Sequence, residues 1–105
     1  MDRGAAAPLD GVRVVSLAVN VPGPVAAARL ADLGADVVKV EPPAGDALQV
    51  AAPGWYRELT ARQQVVPLAL RDAPDRERLE QRLATADVLL TAMRPAALDR
   101  LGLRE

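Results

Sequence analysis

The sequence predicts an α/β fold in which parallel strands alternate with helices. Residues 12–17 and 36–41 are short β-branched apolar runs bounded by glycine or proline, which is typical of buried strands. Residues 25–33 lie between them and carry the spacing of an amphipathic helix. The same alternation of strand and helix patterns resumes in the second half of the chain, so we expect one sheet with helices packed against it.

The first three elements form a βαβ unit. Pro24 stands where a first helical residue belongs, and Gly34 follows the last one. Ala26, Leu30 and Leu33 are spaced to share one face of the helix, which we expect to pack on the sheet. A strand, a helix and a strand within about thirty residues predict a right-handed crossover between parallel strands.

Residues 42–64 break the pattern, because Pro43, Gly45, Pro53 and Gly54 follow in quick succession. We expect a long irregular stretch, which in a small domain is usually functional or else poorly ordered. Asp46, within it, is interpreted as a turn residue. No pair of carboxylates has the spacing of an acid/base couple.

The pattern returns after residue 64. Residues 65–70 predict a strand, and Pro67 inside it indicates an edge position. A helix opens at residues 72–75, with Leu79 and Leu83 on its buried face. Residues 87–91 predict a strand, and residues 95–101 predict a short helix that ends at Gly102. The whole is a Rossmann-like parallel sheet with flanking helices. We expect a disordered leader over residues 1–7 and one domain over residues 8–105.

Composition limits the chemistry. The 105 residues include no Cys and no His, so disulfides, thiolate nucleophiles and the commonest general base and metal ligand are excluded. We assign no catalytic residue and no metal site. The net charge of −1, without a basic stripe, argues against nucleic acid. No apolar run reaches the length of a membrane span, and no signal peptide is evident, so we expect a cytoplasmic protein.

Several strings recur in an order that resembles one family. They are residues 8–15 (Pro-Leu-Asp-Gly-Val-Arg-Val-Val), the turn Pro22-Gly23-Pro24, residues 31–42 (Ala-Asp-Leu-Gly-Ala-Asp-Val-Val-Lys-Val-Glu-Pro), Gly45-Asp46, residues 86–88, residues 94–95 and residues 98–103. The ordered set resembles the family III CoA-transferases, the group that contains formyl-CoA transferase and α-methylacyl-CoA racemase. The resemblance extends over about residues 8–103.

The resemblance implies a Rossmann-like domain of an interlocked dimer that moves CoA between acyl-CoA and carboxylic acids through aspartyl intermediates. CoA and acyl-CoA are then substrates, and no permanently bound cofactor is implied. In the family the nucleophilic aspartate lies downstream of the Leu-Gly-Leu segment. The resemblance therefore implies that this chain, which ends at Glu105, is an N-terminal portion truncated before the catalytic aspartate and inactive alone.

The resemblance also implies binding residues. Arg100 corresponds to a family arginine that contacts the CoA phosphates, which suits a guanidinium because it donates paired hydrogen bonds. Ala92 and Met93 fall where the family lines the nucleotide pocket. Asn20 and Val21 fall on the loop that faces the pantetheine and thioester end. Gln63 stands where the family carries a basic residue.

Departures from the family pattern leave the function open. Gln63-Gln64 replaces a Lys-Arg pair, Thr91-Ala92-Met93 replaces Glu-Asn-Phe, and Gln49 replaces an arginine. The chain is then either a fragment that needs a complementary C-terminal chain, or a degenerate, non-catalytic partner of an intact CoA-transferase, which the lost charges favour. A racemase-like fragment and an unrelated small-ligand domain are further alternatives. We expect weak CoA binding and a homo- or hetero-oligomer.

Overall fold

The computed structural model describes residues 7–19, 22–91 and 95–102 of the chain. These residues form a four-stranded, all-parallel sheet in the order β3-β2-β1-β4, with helices on both faces. The α/β fold predicted from the sequence is confirmed. In chain order, the elements are β1 (Arg13–Ser16), α1 (Pro22–Asp32), β2 (Asp36–Glu41), α2 (Ala47–Ala51), α3 (Pro53–Thr60), β3 (Gln63–Pro67), α4 (Ala73–Ala84), β4 (Val88–Leu90) and α5 (Pro95–Leu101).

The chain changes direction across the sheet at β1. Strand β2 lies on one side of it, where Val14 is paired with Val37, and β4 lies on the other, where Val14 is paired with Val88. Strand β3 extends the sheet beyond β2. In open α/β sheets of this order, ligands bind beyond the carboxyl ends of the strands. We therefore expect a binding site at the carboxyl edge of this sheet.

Helix α1 packs against β1 and β2 through small side chains. The buried cluster on this face comprises Val14, Ala27, Ala31, Ala35 and Val37. The chain has no Phe, and Val and Ala have small side chains. These side chains fill the space between helix and sheet only if the helix lies close to the sheet.

The prediction of which face of α1 is buried was partly wrong. Ala26 is exposed, whereas Gly23, Ala27 and Ala31, spaced four residues apart, are buried. The helix also begins two residues before Pro24. Gly23 is on the buried face because the helix lies very close to the segment that follows β1. A Cβ added to Gly23 would lie 2.2 Å from the Cβ of Ala18. This contact turns the glycine face inward.

Helix α4 covers the opposite face. Its Leu79 is fully buried in a cluster with Val15, Leu17, Val40 and Leu68, and the partly buried Leu83 packs against that cluster. The predicted buried face of this helix is confirmed.

Residues 42–64 are not irregular, and that prediction was wrong. They contain α2 and α3. Asp46 is the N-cap of α2, where its Oδ1 accepts a hydrogen bond from the Leu48 amide at 3.0 Å. Pro53 stands in the first turn of α3. The polar and proline residues that suggested a loop are therefore helix start signals.

The remaining elements agree with the predictions to within a few residues. Among the described residues, β3 pairs only with β2, so the predicted edge position is confirmed, although the strand begins at Gln63 and ends at Pro67. Helix α5 ends before Gly102, which has a φ of +69°. No helix in the described part of the chain is long and apolar enough to cross a bilayer. Residues 1–6 of the expected leader lie outside the described residues.

Candidate functional site

A cavity of about 430 Å³ lies at the carboxyl ends of β1, β2 and β3. It continues from the α4-face core, because Leu17, Val40 and Leu68 belong to both. Its walls are mostly aliphatic side chains and prolines, and its two charged residues are Glu41 and Arg71. The lining residues are Leu17, Val19, Val40, Glu41, Pro42, Pro43, Leu68, Ala69, Leu70 and Arg71.

The wall that follows β2 is a tight turn. Pro42 and Pro43 end the strand because proline cannot continue the ladder. The amide of Gly45 donates to the carbonyl of Pro42 at 2.8 Å, and Gly45 has a φ of +87°. A glycine at this position removes the strain that other residues would carry. The two prolines therefore face the cavity from a fixed backbone.

The wall that follows β3 is held at both ends. The amide of Leu68 donates to the carbonyl of Glu41 at 2.9 Å, which extends the pairing with β2 by one residue. The amide of Ala69 donates to Asp75 Oδ2 at 2.8 Å. Exposed Arg71 then stands at the rim with its guanidinium available to an anion.

Asp75 joins this wall to α4. Besides the Ala69 amide, its carboxylate accepts a hydrogen bond from Arg78 at 2.5 Å. The hydrogen bond from the Ala69 backbone, with a smaller contribution from Arg78, holds the pKa of Asp75 below its ordinary value. The carboxylate therefore stays ionised, and keeps both bonds, throughout the neutral range.

A buried polar cluster lies next to the cavity, on the α1 face of the sheet. The Lys39 ammonium is 2.7 Å from Asp46 Oδ2, 3.3 Å from the Ala18 carbonyl and 3.6 Å from Glu41 Oε2. The Tyr56 hydroxyl donates to the same Glu41 oxygen at 2.5 Å, and the ring centroid is 5.7 Å from the ammonium. Lys39, Glu41 and Asp46 are each at most 4% exposed.

Glu41 links this cluster to the cavity, since it lines the cavity and belongs to the cluster. Burial, followed by the hydrogen bond and charge of Glu41, raises the pKa of the Tyr56 hydroxyl well above its ordinary value. Tyr56 is therefore a neutral donor, and Glu41 is engaged by two partners. The cluster therefore fixes the orientation of these side chains and offers no free general base. Among the described residues, no group of three or more acidic side chains could hold a metal ion.

Two residues of the predicted site, Arg100 and Gln63, are among the described residues. Arg100 is exposed in the last turn of α5. Gln63 begins β3 beside Val37, and its Nε2 donates to the Leu59 carbonyl at 2.8 Å. It lies at the amino end of a strand whose carboxyl end forms the cavity, about 13 Å away along four residues. Gln63 Oε1 is buried and has no hydrogen-bond partner among the residues described.

The other four predicted residues lie outside the described residues. Asn20 and Val21 fall between the cavity residue Val19 and α1. Ala92 and Met93 fall between Thr91 and α5. In sequence, therefore, one pair follows β1 and the other follows β4.

Sequence reasoning missed both the cavity walls and the polar cluster. Two signals could have found them. Lys39 and Glu41 alternate with valines in a strand that is buried on both faces, which requires that they have polar partners. Pro42-Pro43 and Leu68–Arg71 directly follow neighbouring parallel strands, so their side chains meet at one edge.

Fold and site together define a doubly wound α/β domain with a cavity at the carboxyl edge of its sheet. The chain belongs to CoA-transferase family III, whose family model matches residues 9–105.

Two curated proteins and one crystal structure illustrate what this chain is similar to. The "Probable fatty acyl-CoA transferase Rv3272" of Mycobacterium tuberculosis is 36% identical over 93% of this chain and 27% of its own length. The cinnamoyl-CoA:phenyllactate CoA-transferase of Clostridium sporogenes is 38% identical over 90% of this chain and 26% of its own. A crystal structure of Rv3272 matches with a TM-score of 0.84 and 37% identity, covering 94% of this chain and 28% of that one. The chain thus spans about a quarter of the length of these curated relatives.

Proposed function

We propose that these 105 residues form the N-terminal, CoA-binding portion of a family III CoA-transferase, and that residues outside them supply the covalent chemistry. On this proposal the chain alone binds CoA or acyl-CoA weakly and transfers nothing. The observation that carries the proposal is the apolar cavity at the carboxyl edge of the sheet, in a chain that belongs to this family over residues 9–105.

The cavity suits part of CoA better than the whole. Its volume of about 430 Å³ is at the small end of ligand pockets. Prolines and leucines line it, and such walls favour the faces of a base or the aliphatic pantetheine arm. Arg71 at the rim offers a guanidinium to a phosphate, and Arg100 on α5 offers a second.

The chain's own residues bind and orient the ligand. Glu41 lines the cavity, and its carboxylate is held by Tyr56 and Lys39. Neither Tyr56, kept protonated, nor the paired Lys39 is free to take a proton from a substrate. This supports a division of labour in which binding lies in these residues and acyl transfer lies elsewhere.

A degenerate, non-catalytic partner is the second candidate, and the Gln63-Gln64 substitution favours it. The position of Gln63 weakens that argument, because the residue begins β3 at the edge opposite the cavity. A charge missing there leaves the cavity unchanged, and Arg71 supplies a cation at the rim. We therefore retain CoA binding as the better-supported function.

Calorimetric titration of the chain with CoA and acetyl-CoA at low salt tests the proposal. We expect a dissociation constant in the micromolar range, and no CoA transfer when acetyl-CoA and a carboxylic acid are supplied together. Replacing Arg100 by Ala removes charge-assisted bonds worth about 1.5–3 kcal/mol, which corresponds to a loss of affinity of about 10- to 100-fold.

The control is Arg29→Ala, which removes an exposed arginine from α1 and leaves the cavity intact. Its affinity should equal that of the unaltered chain. If the chain shows no binding at millimolar CoA, the proposal fails and the degenerate partner becomes the better account.

A further inference from the structure

The buried cluster around Lys39 makes hydrogen bonds to two of the loops that form the cavity. We propose that Lys39 is a positioning residue, whose ammonium fixes the cavity walls that follow β1 and β2 relative to each other and thereby sets the affinity for CoA. This inference rests on the proposed function and goes beyond it, because Lys39 does not line the cavity.

The ammonium bridges segments that are distant in sequence. Its side chain is 1% exposed, and it contacts the Ala18 carbonyl at 3.3 Å and the Asp46 carboxylate at 2.7 Å. Ala18 follows β1 and Asp46 follows the turn after β2. One group on β2 is therefore bonded both to the loop that follows β1 and to the loop that follows β2.

Both loops are cavity walls. Ala18 lies between Leu17 and Val19, which form one wall. Asp46 directly follows Gly45, whose amide closes the turn on Pro42, and Pro42 and Pro43 form another wall. The two bonds of Lys39 therefore fix the distance between these walls, while each wall keeps its own backbone hydrogen bonds.

Stability alone gives a weak reason for this arrangement. Aliphatic clusters on both faces already hold the sheet. Replacing a buried ion pair by uncharged groups of similar volume is often neutral for stability, since the desolvation cost offsets the attraction. An apolar side chain cannot replace the directional hydrogen bonds of the ammonium, because it makes no fixed bond to the Ala18 carbonyl or to Asp46. A preorganised site binds more tightly because less ordering is left for the ligand to complete.

The test separates positioning from stability with a variant in which the cluster is neutral: Lys39→Met, Glu41→Gln and Asp46→Asn together. The Asn oxygen can still accept from the Leu48 amide, and the Gln oxygen can still accept from Tyr56. We expect the midpoint of denaturant unfolding to fall less than in Lys39→Met alone, because no buried charge is left unpaired, but a CoA dissociation constant raised by about tenfold or more. Lys39→Met alone is the contrasting variant, since it leaves two carboxylates buried without their cation and should lower the midpoint.

The outcomes are distinct. Failure of the unaltered chain to bind CoA overturns the proposed function and this inference with it. If the unaltered chain binds and the neutral variant binds equally well, only the positioning role is overturned. If the triple variant does not fold, Asp46→Asn serves in its place, because it keeps the helix cap and removes one charge. Its amide nitrogen then faces the Lys39 ammonium in place of Oδ2, so the midpoint should fall. CoA binding should also weaken under conditions in which the variant is still folded, and unchanged binding would overturn the inference.

Discussion

At the scale of single residues, Arg71 is the side chain that the cavity brings into prominence. It follows the edge strand β3 and belongs to no sequence motif, so only its place in the lining of the cavity identifies it as a candidate binding residue. Lys39 was not identified from the sequence either. It bonds to Ala18 and Asp46, and contacts between residues of different loops are not visible in a linear pattern. Sequence reasoning found the strand that holds Lys39 and could not find what the side chain contacts.

Arg71→Ala should weaken CoA binding. Removal of the guanidinium at the rim takes away an electrostatic attraction to phosphate, and we expect a loss of about 10- to 100-fold in affinity with a smaller dependence on salt. Calorimetry at two salt concentrations measures both effects. The Arg29→Ala variant is again the control, and an Arg71→Ala affinity equal to that of the control would contradict the assignment.

Gly23→Ala tests the close contact that sets the face of α1. The new Cβ would lie 2.2 Å from the Ala18 Cβ, so helix or loop must move. We expect a loss of about 1–3 kcal/mol in the free energy of unfolding, as for other overpacked sites. Denaturant titration provides the measurement.

Gly54→Ala is the matched control, because a Cβ there meets nothing within 4 Å on α3. Alanine within a helix should stabilise the chain by about 0.5–1 kcal/mol relative to glycine. Similar effects from the two substitutions would show that the contact between Gly23 and Ala18 is not tight.

At the scale of elements, sequence patterns predicted β1, β2, α4 and α5 well and missed α2 and α3. The difference is physical. The well-predicted elements carry apolar residues at the period of their own structure, such as Leu79 and Leu83 on α4. Helices α2 and α3 each bury a single side chain, Leu48 and Tyr56, so the start signals at Asp46 and Pro53 have no periodic run to support them.

Asp75→Asn should loosen the junction between α4 and the wall of the cavity. The lowered pKa of Asp75 means that its contribution to stability is present above the pKa of an unfolded aspartate, about 3.9, and is lost as pH falls through the value in the fold. Thermal unfolding from pH 7 to pH 2 should therefore show less acid sensitivity in the variant. Equal sensitivity in the two chains would mean that Asp75 does not anchor the Ala69 amide.

At the scale of the whole molecule, the sequence predicted the class of fold and did not predict which residues form the walls of the cavity. The parallel sheet follows from the order of strand and helix patterns alone. The cavity arises where three strand ends meet, so its walls come from segments near residues 17, 42 and 69 that have no local relation. Gln63 illustrates the limit, since a family pattern assigns it to the site and the register of β3 places it at the other edge.

The stability of the folded chain should fall at high pH because of Tyr56. Its pKa is raised by burial and by Glu41, so above pH 10 the folded chain keeps a proton that an unfolded tyrosine releases. The free energy of unfolding should then fall by roughly 1.4 kcal/mol per pH unit relative to Tyr56→Phe. Tyr56 is the sole tyrosine, so tyrosinate absorbance reports it directly. Ionisation near pH 10 in the folded chain would contradict the assigned environment.

We expect the chain to self-associate through β4. Among the described residues this strand pairs only with β1, and its Val88 is 42% exposed. An apolar side chain on an unpaired edge favours edge-to-edge contact. Sedimentation should show a concentration-dependent oligomer, and Val88→Lys should shift it towards monomer. A monodisperse monomer for the unaltered chain would contradict this expectation.

The most direct test of the central claim is a titration of the isotopically labelled chain with CoA, followed by amide NMR shifts. We expect saturable changes at Leu17, Val19 and residues 68–71, which line the cavity, and little change at Gln63 and Gln64. Changes centred on Gln63 and Gln64, or no changes at millimolar CoA, would contradict the claim that CoA binds at the carboxyl edge of the sheet.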